Sequence, residues 1–330
     1  MFMIYILFIA AAIITVITAV KLSTYADVIG ERTKLGGMMA GVLLLAGATS
    51  LPEVTTSITA IVVNNPDIAV SNVFGSNLFN LFILAAVDLV YRRKRILQAA
   101  DSSHLSTAVL SIVMTASMAA VMVFPIGFSV LGIGVEMLLL AFLYAGGMIV
   151  ISRAGSNLTP LSADEPEPQH NAISLRHAKR GFAVAAVIIL AAGSALSVTG
   201  DLIAQATGIS SSFVGAFLIA GATSLPELVT VIVAIQLANH SMALGNILGS
   251  NVFNMLILII IDAVYRGGPV LSIVSPAVLA AAAGVLILNA VVIGAVMMVN
   301  RKKPAAVYSL PSMLVILVYF LSSYAIFSFS

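Results

Sequence analysis

Gly47-Ala-Thr-Ser-Leu-Pro-Glu53 recurs, letter for letter, as Gly221-Ala-Thr-Ser-Leu-Pro-Glu227. Each copy lies inside a long apolar stretch. Each is followed by a second shared block, Gly75-Ser-Asn-Leu-Phe-Asn80 and Gly249-Ser-Asn-Val-Phe-Asn254. One gapless offset of 174 residues relates all four blocks; it also relates Leu22 to Leu196, Ser23 to Ser197, Asp27 to Asp201, Gly41 to Gly215, Asp88 to Asp262 and Tyr91 to Tyr265. The chain is an internal duplication, and each half sets one glutamate among apolar residues.

The 330 residues are 61% hydrophobic and 8% charged, against about 25% charged in a soluble domain. This composition indicates an integral membrane protein. The apolar runs are long and lack a period of two, so helices rather than barrel strands must satisfy the backbone in lipid. A net charge of +2 gives no nucleic-acid surface, and the absence of cysteine excludes disulfides, thiolate metal sites and redox motifs. Residues 2–20 have no basic leader and no small-residue cleavage site, so they are expected to form a retained first helix.

At roughly 20 apolar residues per span, the chain divides into ten helices. They are expected near 2–21, 36–63, 68–90, 104–124, 127–152, 181–200, 211–239, 241–264, 271–299 and 306–328. Residues 1–152 then form a first five-helix repeat and 181–330 a second. Between them, 153–180 is a polar linker whose acidic stretch around Asp164 reads as solvated chain. With the N-terminus outside, the inner loops hold Lys21, Arg32, Lys34, Arg92, Arg93, Lys94, Arg95, Arg153, Arg176, Lys179, Arg180, Arg301, Lys302 and Lys303, and only Arg266 falls outside. Five helices per half is an odd number, so the second repeat enters the membrane from the opposite side. The expected fold is all-α, ten transmembrane helices in two inverted repeats, N-out and C-out. Inverted repeats are an architecture of secondary transporters, with sites near the midplane on broken helices.

Pro52 and Pro226 lie inside the second and seventh helices. Lacking N–H groups, they release the carbonyls of Ala48 and Ala222. Such carbonyls survive in a bilayer where they are re-satisfied or line a polar cavity. Ala46, Thr49, Ser50 and Glu53 share one helical face, as do Ala220, Thr223, Ser224 and Glu227. Ser76 and Asn80, and Ser250 and Asn254, are i, i+4 pairs. Every candidate ligand atom is oxygen, which suits hard cations such as Ca2+ and Na+. One Ca2+ would neutralise both glutamates. Ser76, Asn80, Ser250 and Asn254 also suit close helix packing, and Asn77 and Asn251 suit holding backbone.

At these residues the chain resembles the cation/calcium exchanger superfamily, in its prokaryotic Na+/Ca2+ exchanger branch. The two alpha-repeats of that family resemble 47–80 and 221–254. The resemblance implies a central site on helices two, three, seven and eight. Glu53 and Glu227 would be the principal Ca2+ ligands, aided by Thr49 and Thr223. Na+ would use Ala46, Ser50, Ser76, Ala220, Ser224 and Ser250, sharing the glutamates, with Asn80 and Asn254 at the centre. Asn254 stands where many exchangers carry Asp, which opens the question of stoichiometry and K+ dependence. The first block differs from the Asn-Ala-Thr-Glu of proton-coupled relatives and favours Na+ coupling.

The function expected is therefore Na+/Ca2+ antiport by alternating access in the prokaryotic cell membrane, extruding Ca2+, with no cofactor and no enzymatic activity. Ca2+/H+ antiport on the same glutamates is the alternative. A cation channel is disfavoured, because the duplication supplies a pair of glutamates rather than a ring. His104, His170, His177 and His240 fall in or near loops and are read as interfacial, without a metalloprotease pair. Glu136 is expected well inside the fifth helix, outside the symmetric site. Asp88 and Asp262 are expected as interfacial anchors beside Arg92 and Arg266.

Overall fold

A computed structural model describes residues 2–32, 47–100, 102–130, 132–156, 173–298 and 305–329. The helices are α1 (Phe2–Arg32), α2 (Leu51–Val62), α3 (Pro66–Val90), α4 (Ser102–Val123), α5 (Val135–Ser156), α6 (Leu175–Thr207), α7 (Ser211–Gln236), α8 (His240–Val264), α9 (Pro276–Met298) and α10 (Ala305–Ser328). Among the described residues, nine are long and apolar enough to cross a membrane, and α2 is a shorter apolar helix. The first part of the expected second helix, 36–46, lies outside the described residues. So does 157–172, the middle of the expected linker.

The duplication is visible as a pseudo-two-fold in the packing. Asn65 and Asn239 cap α3 and α8, accepting from Ile68 N and Met242 N. Asn64 and Ala238, just before those caps, both take positive φ, 61° and 57°. Asp88 Oδ1 accepts from Ile96 N and Asp262 Oδ1 from Val270 N, each closing a short 3-10 turn after its helix. Phe253 lies against Gly47 and Phe79 against Gly221. In every case the partners differ by the sequence offset. The α3–α8 crossing is the centre of this symmetry. The most buried helix is α3, whose face carries Ile68, Phe74, Leu78 and Leu81 with almost no exposure.

The close approach of α7 to α3 sets the depth of the core. Residues Val214–Ile219 adopt a π-helical turn, a widening often found at functional sites. It seats Gly215 against Ser71 and Ile68, and Ala216 against Gly75; a side chain on either glycine would run into backbone of the facing helix.

Three expectations are corrected. Helices α1 and α6 run 31 and 33 residues rather than stopping near 21 and starting near 181. At 1.5 Å per residue each is over about 45 Å long, beyond a bilayer core of about 30 Å. They pack on each other along their length, and that contact carries the helix past the apolar window, with Lys21 turned to the exterior. Helix α5 begins at Val135, not 127. Pro125 and the positive φ of Gly127 (67°) and Gly132 (83°) break the chain, and strands β1 (Ser129–Val130) and β2 (Ile133–Gly134) form a hairpin instead. The ninth helix starts at Pro276, after the 3-10 turn Val270–Ser272, rather than at 271.

Candidate cation site

The prolines act as their chemistry requires. Helix two breaks at Ser50 (φ −87°, ψ 6°) and restarts at Leu51. Helix α7 breaks at Ser224 (φ −90°, ψ 2°) and restarts at Leu225. Pro52 and Pro226 then occupy the first turn of the new segments, where a missing N–H costs nothing. Glu53 and Glu227 follow in the same turn, at the end where backbone N–H groups favour negative charge.

Both glutamates are almost fully enclosed, at 0% and 1% exposure. The repeats meet across the centre. Ser224 Oγ donates to Glu53 Oε1 at 3.3 Å. Ser76 Oγ and Thr223 Oγ1 lie 3.5 Å apart. Ser224 stands three residues before Glu227, so this bond brings Glu53 to the helix break that carries the second glutamate. Thr49, Ser50, Asn80, Ser250 and Asn254 are equally buried. Ala220 O accepts from Ser224 N at 3.0 Å and from Thr223 Oγ1 at 3.3 Å, which engages both its lone pairs. Ala46 lies outside the described residues.

The imbalance is of acceptors over donors. Ser50 Oγ, Glu53 Oε2, both Glu227 oxygens, Asn80 Oδ1, Ser250 Oγ and Asn254 Oδ1 are buried without a hydrogen-bond partner among the described residues. Each orphan acceptor costs on the order of 1–3 kcal/mol, and a charged one more. Oxygens concentrated in this way, three of them on carboxylates, form a ligand set for a hard cation. Nitrogen and sulfur ligands do not enter it.

Four supporting residues escaped the reading of the motifs. Asn72 Nδ2 donates to Thr56 Oγ1 (2.9 Å) and Ser57 Oγ (3.0 Å), while Thr56 Oγ1 donates to the carbonyls of Pro52 and Glu53. In the second repeat Asn246 Nδ2 donates to Thr230 Oγ1, which donates to Glu227 O at 2.9 Å. These bonds brace each broken helix immediately behind its glutamate. The 174-residue offset relates Asn72 to Asn246 and Thr56 to Thr230, so alignment of the halves beyond the two motifs would have found them.

Asp88 and Asp262 are not interfacial anchors for arginine. Both have 0% exposure. Besides Ile96 N, Asp88 accepts from Tyr308 OH and Ser312 Oγ, both at 2.6 Å. Besides Val270 N, Asp262 accepts from Gly134 N at 2.7 Å. Glu136 sits in the first turn of α5, not mid-helix, because the hairpin displaces the helix start. His104 is buried rather than interfacial, with Nε2 3.0 Å from Ser241 O.

Comparison with known proteins gives concordant results. The sequence model described as sodium/calcium exchanger protein matches residues 3–151 and 178–328. The inner membrane protein YrbG of Escherichia coli strain K12 is 25% identical over 268 residues, 80% of each chain. The putative antiporter CaxA of Alkalimonas amylolytica is 28% identical over 264 residues, 74% of this chain and 75% of that one. A solved structure of the sodium-calcium exchanger NCX_Mj superposes with a TM-score of 0.59 at 19% identity, over 97% of this chain and 98% of that one. The structure of native YfkE superposes with a TM-score of 0.62 at 16% identity, over 98% and 99%.

Proposed function

The chain belongs to the sodium/calcium exchanger protein family, a family of membrane exchangers rather than enzymes, and on that premise we propose that it is a secondary antiporter exchanging Na+ for Ca2+. The observation that carries the proposal is the buried set of unpaired oxygens around Glu53 and Glu227. In this reading Ca2+ is held by the two glutamates with Thr49 and Thr223. Na+ is held by Ser50, Ser76, Ser224 and Ser250 together with the glutamates, with Ala46, Asn80, Ala220 and Asn254 completing the set. Ala220 O would take a cation only by releasing the Thr223 hydroxyl.

Charge explains why such a site exchanges rather than leaks. Two bare carboxylates are costly to enclose. One Ca2+ or two Na+ cancels them, so the loaded site can be closed off from both sides while the empty one resists closure. The cations compete for the same oxygens, and each delivers the site to the other side by alternating access. We place residues 153–180 in the cytoplasm between two five-helix repeats, following the distribution of lysine and arginine. The Na+ gradient would then drive Ca2+ out of a prokaryotic cell.

The test is uptake of radiolabelled Ca2+ into proteoliposomes loaded with Na+ and diluted into Na+-free buffer, with K+-loaded and acid-loaded vesicles alongside. Uptake confined to Na+-loaded vesicles is the expected result. Uptake driven by the pH gradient alone would overturn Na+ coupling and reassign the two glutamates as proton carriers.

A further inference from the structure

Two backbone carbonyls decide the direction of four side-chain amides at the α3–α8 crossing. Asn77 Nδ2 donates to Asn251 O at 3.1 Å, and Asn251 Nδ2 donates to Asn77 O at 3.3 Å. A backbone carbonyl only accepts, so neither amide can be turned round. Each Oδ1 must then face a donor. Asn80 Nδ2 meets Asn251 Oδ1 at 3.0 Å, and Asn254 Nδ2 meets Asn77 Oδ1 at 3.1 Å. The constraint passes on one step further. With their nitrogens committed, Asn80 and Asn254 turn their oxygens away from the crossing, and both Oδ1 atoms are buried and unpaired among the described residues.

A purely structural clasp would have no use for those last two oxygens. A clasp built for packing alone would pair every polar atom of its second tier. Instead the second tier leaves two orphan acceptors, each one helical turn from a serine of the site, Ser76 or Ser250. Were the amides reversed, they would present N–H groups and repel a cation.

We propose that Asn77 and Asn251 are positioning residues of the cation site, which hold Asn80 and Asn254 by their amide nitrogens so that only carbonyl oxygens face the transported ion. The inference rests on the exchanger reading above and adds to it a pair of residues that touch no cation themselves. It assigns the partnership crosswise: Asn251 acts through Asn80, and Asn77 through Asn254.

Crosswise partnership has a thermodynamic signature that general loosening of the fold does not share. Equilibrium binding of radiolabelled Ca2+ to the purified full-length protein, with a thermal melt of each variant, measures it. Asn251→Ala should weaken Ca2+ binding roughly tenfold, the usual scale for a residue that orients a ligand. In an Asn80→Ala background the same change should cost no more than about twofold, because its target is gone. Asn77→Ala and Asn254→Ala should behave alike, while Asn251→Ala and Asn254→Ala should multiply. If Asn251→Ala yields no folded protein, Asn251→Ser serves in the same cycle. Multiplying effects in every pairing, or a lowered melting temperature with unchanged Ca2+ affinity, would overturn the positioning role and leave the exchanger reading intact. A wild-type protein that binds no Ca2+ and takes up none under either gradient would overturn both.

Discussion

At the scale of single residues, the proposed role of the two glutamates predicts that transport and folding separate at them. Glu53→Gln and Glu227→Gln keep shape and remove charge. Each leaves a bound Ca2+ half-compensated in a buried site, a loss of about 3–5 kcal/mol and so over a hundredfold in affinity. Ca2+ uptake in proteoliposomes should vanish. The fold should not suffer, because Glu227 has both oxygens without partners among the described residues, and an amide there is easier to enclose than a carboxylate. In ion-free buffer the variants should melt at or above the wild-type temperature, and saturating Ca2+ should no longer raise it. A wild-type rate in a well-folded variant would remove the glutamates from the mechanism. Asp262 should show the opposite pattern. Asp262→Ala strands the N–H groups of Gly134 and Val270, which costs about 2–6 kcal/mol at typical values per group. Melting temperature should fall while the Ca2+ affinity of the surviving folded protein stays within about twofold. The two kinds of acid look alike in the sequence, each conserved between the halves by the same offset. Pro52 and Pro226 marked the glutamates because a helix break needs a reason. Nothing comparable marked Asp88 and Asp262, since hydropathy gives their position along a helix but not whether neighbouring chain closes over them.

At the scale of elements, glycine decides how near the helices come. Gly75 lies against the backbone of Ala216, where the π-helical turn of α7 crosses α3. Gly75→Ala must push the two helices apart, and rigid backbone on both sides leaves nothing to yield. Overpacking of this kind costs about 1–3 kcal/mol. It also separates Ser76 from Thr223, the contact one residue further on. The expected outcome is a lower melting temperature together with weaker Ca2+ binding, read by the same melt and binding measurements; an unaffected Ca2+ affinity would show that the crossing does not set the site's dimensions. The number and type of helices were legible because lipid leaves few alternatives to a continuous apolar helix. Their ends were not. Hydropathy reports the bilayer window, whereas α1 and α6 continue outside it by packing on each other. The hairpin at 129–134 contains enough apolar residues to pass as helix, and Pro125 with the turns at Gly127 and Gly132 betrays it. Likewise the amide directions at Asn77 and Asn251 depend on backbone carbonyls of the other repeat, brought together only by the inverted crossing.

At the scale of the whole molecule, the pseudo-two-fold holds at the α3–α8 crossing and fails at the glutamates and at Thr59 and Ser194. The Asn77–Asn251 bonds agree within 0.2 Å (3.1 and 3.3 Å), and the outer pair within 0.1 Å (3.0 and 3.1 Å). The Glu53 carboxylate, by contrast, accepts from the Ser224 hydroxyl, while the side-chain oxygens of Glu227 and Ser50, their counterparts, have no partner among the described residues. The end of α2 and the start of α3 are tied to α6: Thr59 Oγ1 and Ser194 Oγ lie 2.9 Å apart, and Asn65 Nδ2 donates to Asp201 Oδ1 at 2.6 Å. The counterparts of Thr59 and Ser194 are Val233 and Val20, which have no hydroxyl to offer. An inverted-repeat exchanger facing one side must be asymmetric somewhere, and a symmetric crossing clamped by four amides is a poor place for the difference. The seat of α6 on α2, at Thr59 and Ser194, is a better one. Asp201→Ala should loosen it by about 1.5 kcal/mol, the value of one hydrogen bond to a charged group, or roughly a tenfold shift in the conformational equilibrium. The chain contains no cysteine, so Thr59→Cys supplies a single reporter facing Ser194. Its reaction with a soluble maleimide in ion-free vesicles should quicken by up to that factor when Asp201→Ala is added. An unchanged labelling rate would mean that α6 keeps its seat without Asp201, and that the asymmetry of the two glutamates arises within α2 and α7, at the breaks beside Ser50 and Ser224.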